Sequence, residues 1–371
     1  MNVLVVSGIW PPDVGGPASH APDVAGYLHD RGHAVEVVTT ASAQPAAQPY
    51  PVHWISRGIP KGAIHVRTGL EVARLARRAD VVYTTGMFGR SAGGAALART
   101  PYVIKLTADP AFERARRRGM VGGEVERFQH ARVGPAIGAL RLARDAELRG
   151  AAHVFTPSAW LRELAVSWGV DASRVSVLPN PTPPLPELRP RDELRAELGL
   201  DGPTLAFAGR LTAQKSLEVA LEAAERAGVS LVIAGEGDER ARLEALAGAR
   251  VRFVGALPRR GVLELFRAAD ASVLSSSWEN FPHTVVEALA VGTPVLATAT
   301  GGVAEIVEDG VNGLLVAPGD TDSLTGAIEA FFADGELRER LRANAADSVE
   351  RFAPERVFAE LERTLVRTLR S

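Results

Sequence analysis

Short apolar, β-branched runs alternate with helical patterns along most of this chain. They fall at 3–7, 34–39, 81–84, 102–106, 154–156 and 175–178, and again at 204–208, 231–234, 251–254, 271–274, 295–298 and 314–316. Such alternation argues a parallel α/β architecture. Residues 179–190 interrupt it with six prolines in twelve positions. That segment is extended and semi-rigid, so it reads as a linker. The expectation is two doubly wound, Rossmann-like domains, 1–183 and 184–353, facing each other across a cleft. Ligands then belong at the C-terminal ends of the strands. A last stretch, 354–371, places Val357, Phe358, Leu361, Leu365 and Leu369 at helical spacing.

Composition narrows the function classes. With 371 residues, 46% of them hydrophobic, the chain can fill two cores and is not a disordered protein. A formal charge of −2 gives no global attraction to nucleic acid, and none is expected as a partner. The absence of cysteine removes disulfides, thiolate chemistry and Cys-type zinc sites. No charged n-region precedes a long apolar segment, and no stretch of about 20 apolar residues occurs. A cytoplasmic protein without a transmembrane segment is expected.

Glu279 and Glu287 carry the chemistry. The first follows the apolar run 271–274, and the second falls in the first turns of a helix expected from about Thr284 to Gly292. Between them, the N–H groups of a helix start make a site for phosphate. A carboxylate, an anion-binding helix start and a second carboxylate suit a nucleotide sugar. One acid grips sugar hydroxyls, the amides the diphosphate, and the other acid the ribose. Two solvated glutamates beside a buried βα unit are the plain alternative.

Gly209-Arg210-Leu-Thr-Ala-Gln-Lys215-Ser216 follows the run 204–208. Arg210 can bind diphosphate oxygens bidentately and Lys215 adds a point charge, together neutralising the leaving nucleotide. A solvated Arg/Lys pair is the alternative. In the first half, Trp10-Pro-Pro-Asp-Val-Gly15-Gly16-Pro-Ala-Ser-His20 follows the first strand. Its glycines let backbone approach a phosphate or sugar closely. His20 is a further candidate there, and equally a packed helix residue.

The Glu279-x7-Glu287 string, with Gly292-Thr-Pro-Val295 behind it and Gly301-Gly302 beyond, closely resembles the donor site of family 4 retaining glycosyltransferases (glycosyl transferases group 1). Those enzymes have the GT-B fold. The loop around Arg210 and Lys215 resembles the family's Gly-Arg…Lys-Gly loop, with Ser216 where glycine is usual. Residues 10–20 resemble its Pro-Pro…Gly-Gly…His loop. Gly235-Glu236-Gly237 and Gly255-Ala256-Leu257 match turns that lie by the base and ribose in the family. The resemblance implies an acceptor-binding first domain, a donor-binding second domain, and a final helix packing back on the first. It also implies donor contacts from Gly15, Gly16, Gly209, Glu236, Leu257, Asn280, Phe281, Pro282, His283, Thr284 and Glu287. Expected catalytic residues are Glu279, Arg210, Lys215 and Asp109. No metal or other cofactor is implied. The donor is a nucleoside-diphosphate sugar, UDP favoured over GDP, and the acceptor a small molecule, glycan or lipid-linked sugar.

Two departures stand out. Thr107-Ala108-Asp109 replaces a frequent His-Asp or Gly-Asp, so no histidine role carries over. Asp109 then contacts sugar hydroxyls or caps a helix. Pro282 replaces a frequent glycine and removes one amide, so sugar contacts from backbone fall to Phe281, His283 or Thr284. Gly89-Arg-Ser91-Ala-Gly93 imitates a hydrolase elbow without downstream partners. Asp320-Thr-Asp322 imitates a metal site where a helix N-cap is expected. Residues 105–149 carry ten Lys/Arg against six Asp/Glu, which suits an anionic acceptor, peripheral membrane contact or a solvated loop. A GT-B nucleotide-sugar epimerase and a non-catalytic nucleotide-sugar-binding protein are the rival readings.

Overall fold

The computed structural model describes residues 1–13, 16–121, 128–129 and 134–370. The chain divides into two compact units, one of Met1–Asn180 with Glu355–Ser371, the other of Pro181–Pro354.

The first unit holds seven parallel strands: β1 (Asn2–Ser7), β2 (Ala34–Ala41), β3 (Val52–Ser56), β4 (Val81–Thr84), β5 (Tyr102–Lys105), β6 (His153–Thr156) and β7 (Val175–Val177). Their order is β3-β2-β1-β4-β5-β6-β7. The helices are α1 (Gly16–Asp30), α2 (Lys61–Ala76), α3 (Phe88–Ala98), α4 (Pro110–Arg117), α5 (Pro135–Arg149) and α6 (Ala159–Ser167). Alternate residues of one strand feed opposite cores. Leu4 and Val6 join Val72, Leu75 and Ala95 on one face. Val3 and Val5 join Ala21, Val24 and Leu28 on the other. A strand covered on both faces needs apolar residues at every position, which is why β1 reads as a continuous run.

β3 is the strand that the sequence reading passed over. Val-His-Trp-Ile-Ser is only half-buried along its length and lies at the sheet edge. An edge strand lacks the continuous apolar signal of its neighbours.

The second unit holds β8 (Thr204–Ala208), β9 (Ser230–Ala234), β10 (Val251–Gly255), β11 (Ala271–Leu274), β12 (Val295–Thr298) and β13 (Gly313–Val316), ordered β10-β9-β8-β11-β12-β13 and all parallel. Its helices are α7 (Arg191–Leu198), α8 (Leu217–Arg226), α9 (Arg240–Leu246), α10 (Arg259–Ala268), α11 (His283–Ala290), α12 (Thr321–Ala333) and α13 (Gly335–Ser348). In each sheet the strand order reverses beside the first strand, between β1 and β4 and between β8 and β11. Chains leave such a switch point in opposite directions and open a crevice above it.

The last helix, α14 (Pro354–Thr368), buries Val357, Phe358, Leu361 and Leu365 in the α1 face of the first unit's core. At about 1.5–3 kcal/mol for each fully buried aliphatic or aromatic side chain, that seam holds the helix firmly. Glu362 adds polar contacts, to His33 Nε2 at 2.8 Å and Arg31 Nε at 3.4 Å. Lys105, at the end of β5, is fully buried and donates its ammonium to the Leu178 carbonyl.

Candidate donor site

The β8/β11 switch point brings the chemistry-bearing loops of the second unit together. The loop after β8 is tied to the turn after β9, with Gly209 N donating to Ala234 O at 3.0 Å and Leu211 N to Glu236 O at 2.9 Å. It is equally tied to the loop after β11. Ser277 N donates to Gln214 O at 2.9 Å, Gln214 Nε2 to Trp278 O at 2.9 Å, and Ser275 Oγ to Lys215 O at 3.0 Å.

These braces deliver one ion pair. Lys215 Nζ meets Glu279 Oε1, with both side chains largely out of solvent. Ser276 Oγ donates to the same oxygen at 2.7 Å. The backbone beneath permits this only because position 301 is glycine. Gly301 has φ +51°, and a Cβ there would stand 1.7 Å from the Glu279 carbonyl oxygen. Gly235 is under the same constraint, since its Cβ would lie 1.8 Å from Gly209 O.

Around this pair the other candidates take distinct positions. Arg210 is exposed on the β8 loop. Pro282 is the N-cap of α11 and supplies no side-chain acceptor to the first amides, those of His283 and Thr284. Asn280 and Phe281 are buried, and the Phe281 ring packs edge-on against Phe352 at 5.3 Å. The Phe281 side chain serves the core, leaving its backbone as its means of meeting a ligand. Glu287 is held by Arg259 Nη2 at 3.4 Å from its Oε1. Burial pushes the Glu287 carboxyl above its usual range, and Arg259 partly offsets that. Leu257 lies half-buried in the turn after β10. Glu236 is drawn away into an ion pair with Arg240 of the next helix.

Asp109 needs correction. Its Oδ1 accepts from Ala111 N at 2.8 Å and Phe112 N at 3.3 Å, capping α4. Its Oδ2 accepts from Arg144 Nη1 at 3.0 Å and Gln129 Nε2 at 2.9 Å. The side chain is 0% exposed, and Arg144 stacks on Trp168. A carboxylate so enclosed and so fully engaged has nothing to offer a sugar hydroxyl. It is the cap.

His20 is buried, with Nε2 2.8 Å from Tyr83 Oη and its ring beside Phe358 of α14. Gly16 opens α1, while Gly15 lies outside the described residues. Just before them, Asp13 pairs with Arg57 at 3.0 Å and accepts from Ser42 N at 3.1 Å. Ser91 is buried and bonds Thr84, so the hydrolase-like string holds no nucleophile at a surface. Asp320 caps α12 through Ser323 N at 2.9 Å.

Sequence reasoning missed Ser276 and Arg259. A hydroxyl three residues before Glu279 was a usable hint for the first. Nothing local pointed to the second, since its partner lies 28 residues away.

Comparison with known proteins gives the same family from both halves. Residues 190–348 match the family model "Glycosyl transferases group 1", and residues 15–181 match "Glycosyl transferase 4-like domain". A D-inositol 3-phosphate glycosyltransferase of Xylanimonas cellulosilytica is 31% identical over 92% of this chain and 88% of its own. Among solved structures, HepE of Anabaena in complex with UDP superposes with a TM-score of 0.77 at 21% identity, covering 99% of this chain and 100% of that one. The sucrose-phosphate synthase of Thermosynechococcus elongatus gives 0.78 at 21%, covering 99% of each. No helix among the described residues is long and apolar enough to cross a membrane. Two parallel Rossmann-like sheets, matched family models over both halves and a near full-length relative make this chain a member of glycosyltransferase family 4, an enzyme with the GT-B fold.

Proposed function

We propose that the enzyme transfers a sugar, with retention and without a metal, from a nucleoside-diphosphate sugar to an acceptor hydroxyl. The observation that carries this reading is the Lys215–Glu279 pair at the β8/β11 switch point, braced by Ser276. In the donor complex Glu279 exchanges its contact with Lys215 for the sugar hydroxyls. Lys215 turns to the diphosphate, where Arg210 and the first amides of α11 join it. Charge grows on that diphosphate as the bond to C1 breaks, so these groups hold it in the ground state and more strongly in the transition state. Glu287 accepts the ribose hydroxyls, and Leu257 lies toward the base.

The family likeness supports retention, and a front-face route fits the residues best. The C1–O bond breaks with its electron pair passing to the β-phosphate oxygen. The acceptor oxygen bonds C1 on the same face, and its proton goes to that phosphate oxygen. UDP is the favoured nucleotide of the donor, supported by the UDP bound in the similarly folded HepE. The acceptor is a small molecule, a glycan or a lipid-linked sugar met by the first unit, and the cytoplasm is the expected compartment.

The test is turnover of UDP- and GDP-sugars with a broad acceptor panel, with and without EDTA, and NMR of the product. An anomer matching the donor's, formed equally fast in EDTA, is expected. An inverted anomer overturns retention, and loss in EDTA overturns metal independence. Donor interconversion without any acceptor points instead to an epimerase.

A further inference from the structure

Glu287 sits in α11 between buried neighbours, Val286 and Ala288, with a side chain 14% exposed. A carboxylate in that position is costly unless a cation balances it. Arg259 is that cation. It is the first residue of α10, set by Pro258 at the cap, and it follows Leu257 in the turn after β10. Its side chain is 47% exposed, so the guanidinium reaches inward from the surface to Oε1 alone. The other oxygen, Oε2, accepts no hydrogen bond from the described residues, which leaves it available to a ligand diol. β11 and β12 carry no ionisable side chain, and no charged group of α13 acts on the carboxylate.

We propose that Arg259 is a positioning residue for the ribose acid, aiming the Glu287 carboxylate so that it accepts both hydroxyls of a ribonucleotide. This rests on the reading that Glu287 binds ribose. It makes Arg259 a determinant of selectivity for ribo- over 2′-deoxyribonucleotides, because a missing hydroxyl leaves the charged acceptor short of a donor.

The experiment is calorimetric titration with UDP and 2′-deoxy-UDP of the full chain and of Arg259→Ala, Arg259→Lys and Glu287→Ala. Arg259→Ala is expected to weaken UDP about tenfold, the scale of one hydrogen bond to a charged group, and to lose most of the preference over 2′-deoxy-UDP. Arg259→Lys restores part of both. A pH series separates aiming from bulk stability. UDP binding needs the ionised acid, so affinity falls as pH drops through the Glu287 titration. Without Arg259 burial acts unopposed, and the fall begins at a higher pH. Wild-type affinity and pH profile in Arg259→Ala, with the ribo preference lost in Glu287→Ala, overturns the role of Arg259 alone. An unchanged Glu287→Ala overturns the ribose reading itself. If UDP does not bind, GDP and ADP with their 2′-deoxy forms replace it, and silence from all of them overturns both.

Discussion

Lys215 and Glu279 are 64 residues apart in sequence, yet the ammonium of one meets the carboxylate of the other across the β8/β11 switch point. Neither charge is satisfied by its own loop alone. A base and an acid stored against each other in this way are pre-positioned for a ligand carrying both a diphosphate and hydroxyls. Replacing either should be catastrophic for turnover while the protein still folds, at some cost in stability from the partner left unpaired. Glu279→Ala and Lys215→Ala are each expected to lower kcat by about 10²–10³, the usual cost of one transition-state contact. Circular dichroism and the melting temperature check the fold. Near-normal turnover in either would remove its assignment.

Ser276 should act through Glu279 alone. Ser276→Ala deletes a hydrogen bond to a charged group, worth about 1.5–3 kcal/mol. The expected result is a kcat roughly tenfold lower or more, with nucleoside diphosphate affinity unchanged. Equal losses for donor and free diphosphate would mean that the hydroxyl supports the loop rather than the acid.

For Asp109 the expectation runs the other way. Asp109→Ala strips the cap of α4 and leaves the buried Arg144 with Asp145 as its remaining acid. Breaking such a pair costs about 3–5 kcal/mol. Asp109→Asn keeps an oxygen for the cap and should lose less. Donor KM in the folded fraction of either variant should match wild type. A variant with a normal melting temperature and no turnover would return Asp109 to the substrate.

Lys105 gives a pH signature. Burial pulls its ammonium from 10.5 down to about 7. Between those values the unfolded chain holds a proton that the folded chain has shed, so stability rises with pH through that window. Lys105→Met should therefore stabilise the protein at pH 7, by about 1–3 kcal/mol. The gain should shrink toward pH 10, followed by denaturant unfolding of both proteins. A gain independent of pH would mean that packing, not charge, sets the difference.

Much of this architecture is written locally. The inner strands of the second unit, β8, β9, β11 and β12, show as apolar runs because both faces of their sheet are covered, whereas β3 at an edge is only half-buried. Glu279 and Glu287 are legible for a similar reason, since a loop and the helix after it keep a fixed spacing. Asp109 is not, because an aspartate before Pro-Ala-Phe looks the same whether it caps a helix or faces a sugar. Only the distant Arg144 and Gln129 decide. Ser216 shows the opposite case. Its φ of +43° is the left-handed conformation that explains a glycine in the related loop.

That strain is itself testable. Ser216→Gly should raise stability by about 1 kcal/mol, as the side chain's clash in the left-handed region is removed. Thermal melts of the two proteins would show it, and a lower melting temperature would contradict it.

The central claim is a nucleoside-diphosphate sugar seated at the β8/β11 switch point. Thermal stabilisation of the wild type and of Lys215→Ala by UDP-, GDP-, ADP- and TDP-sugars, in EDTA, tests it most directly. One nucleotide series should raise the wild-type melting temperature, as about 2.7 kcal/mol at a hundredfold excess over Kd requires. The same series should leave Lys215→Ala nearly unmoved. No shift with any nucleotide, or an equal shift in both proteins, would contradict the account.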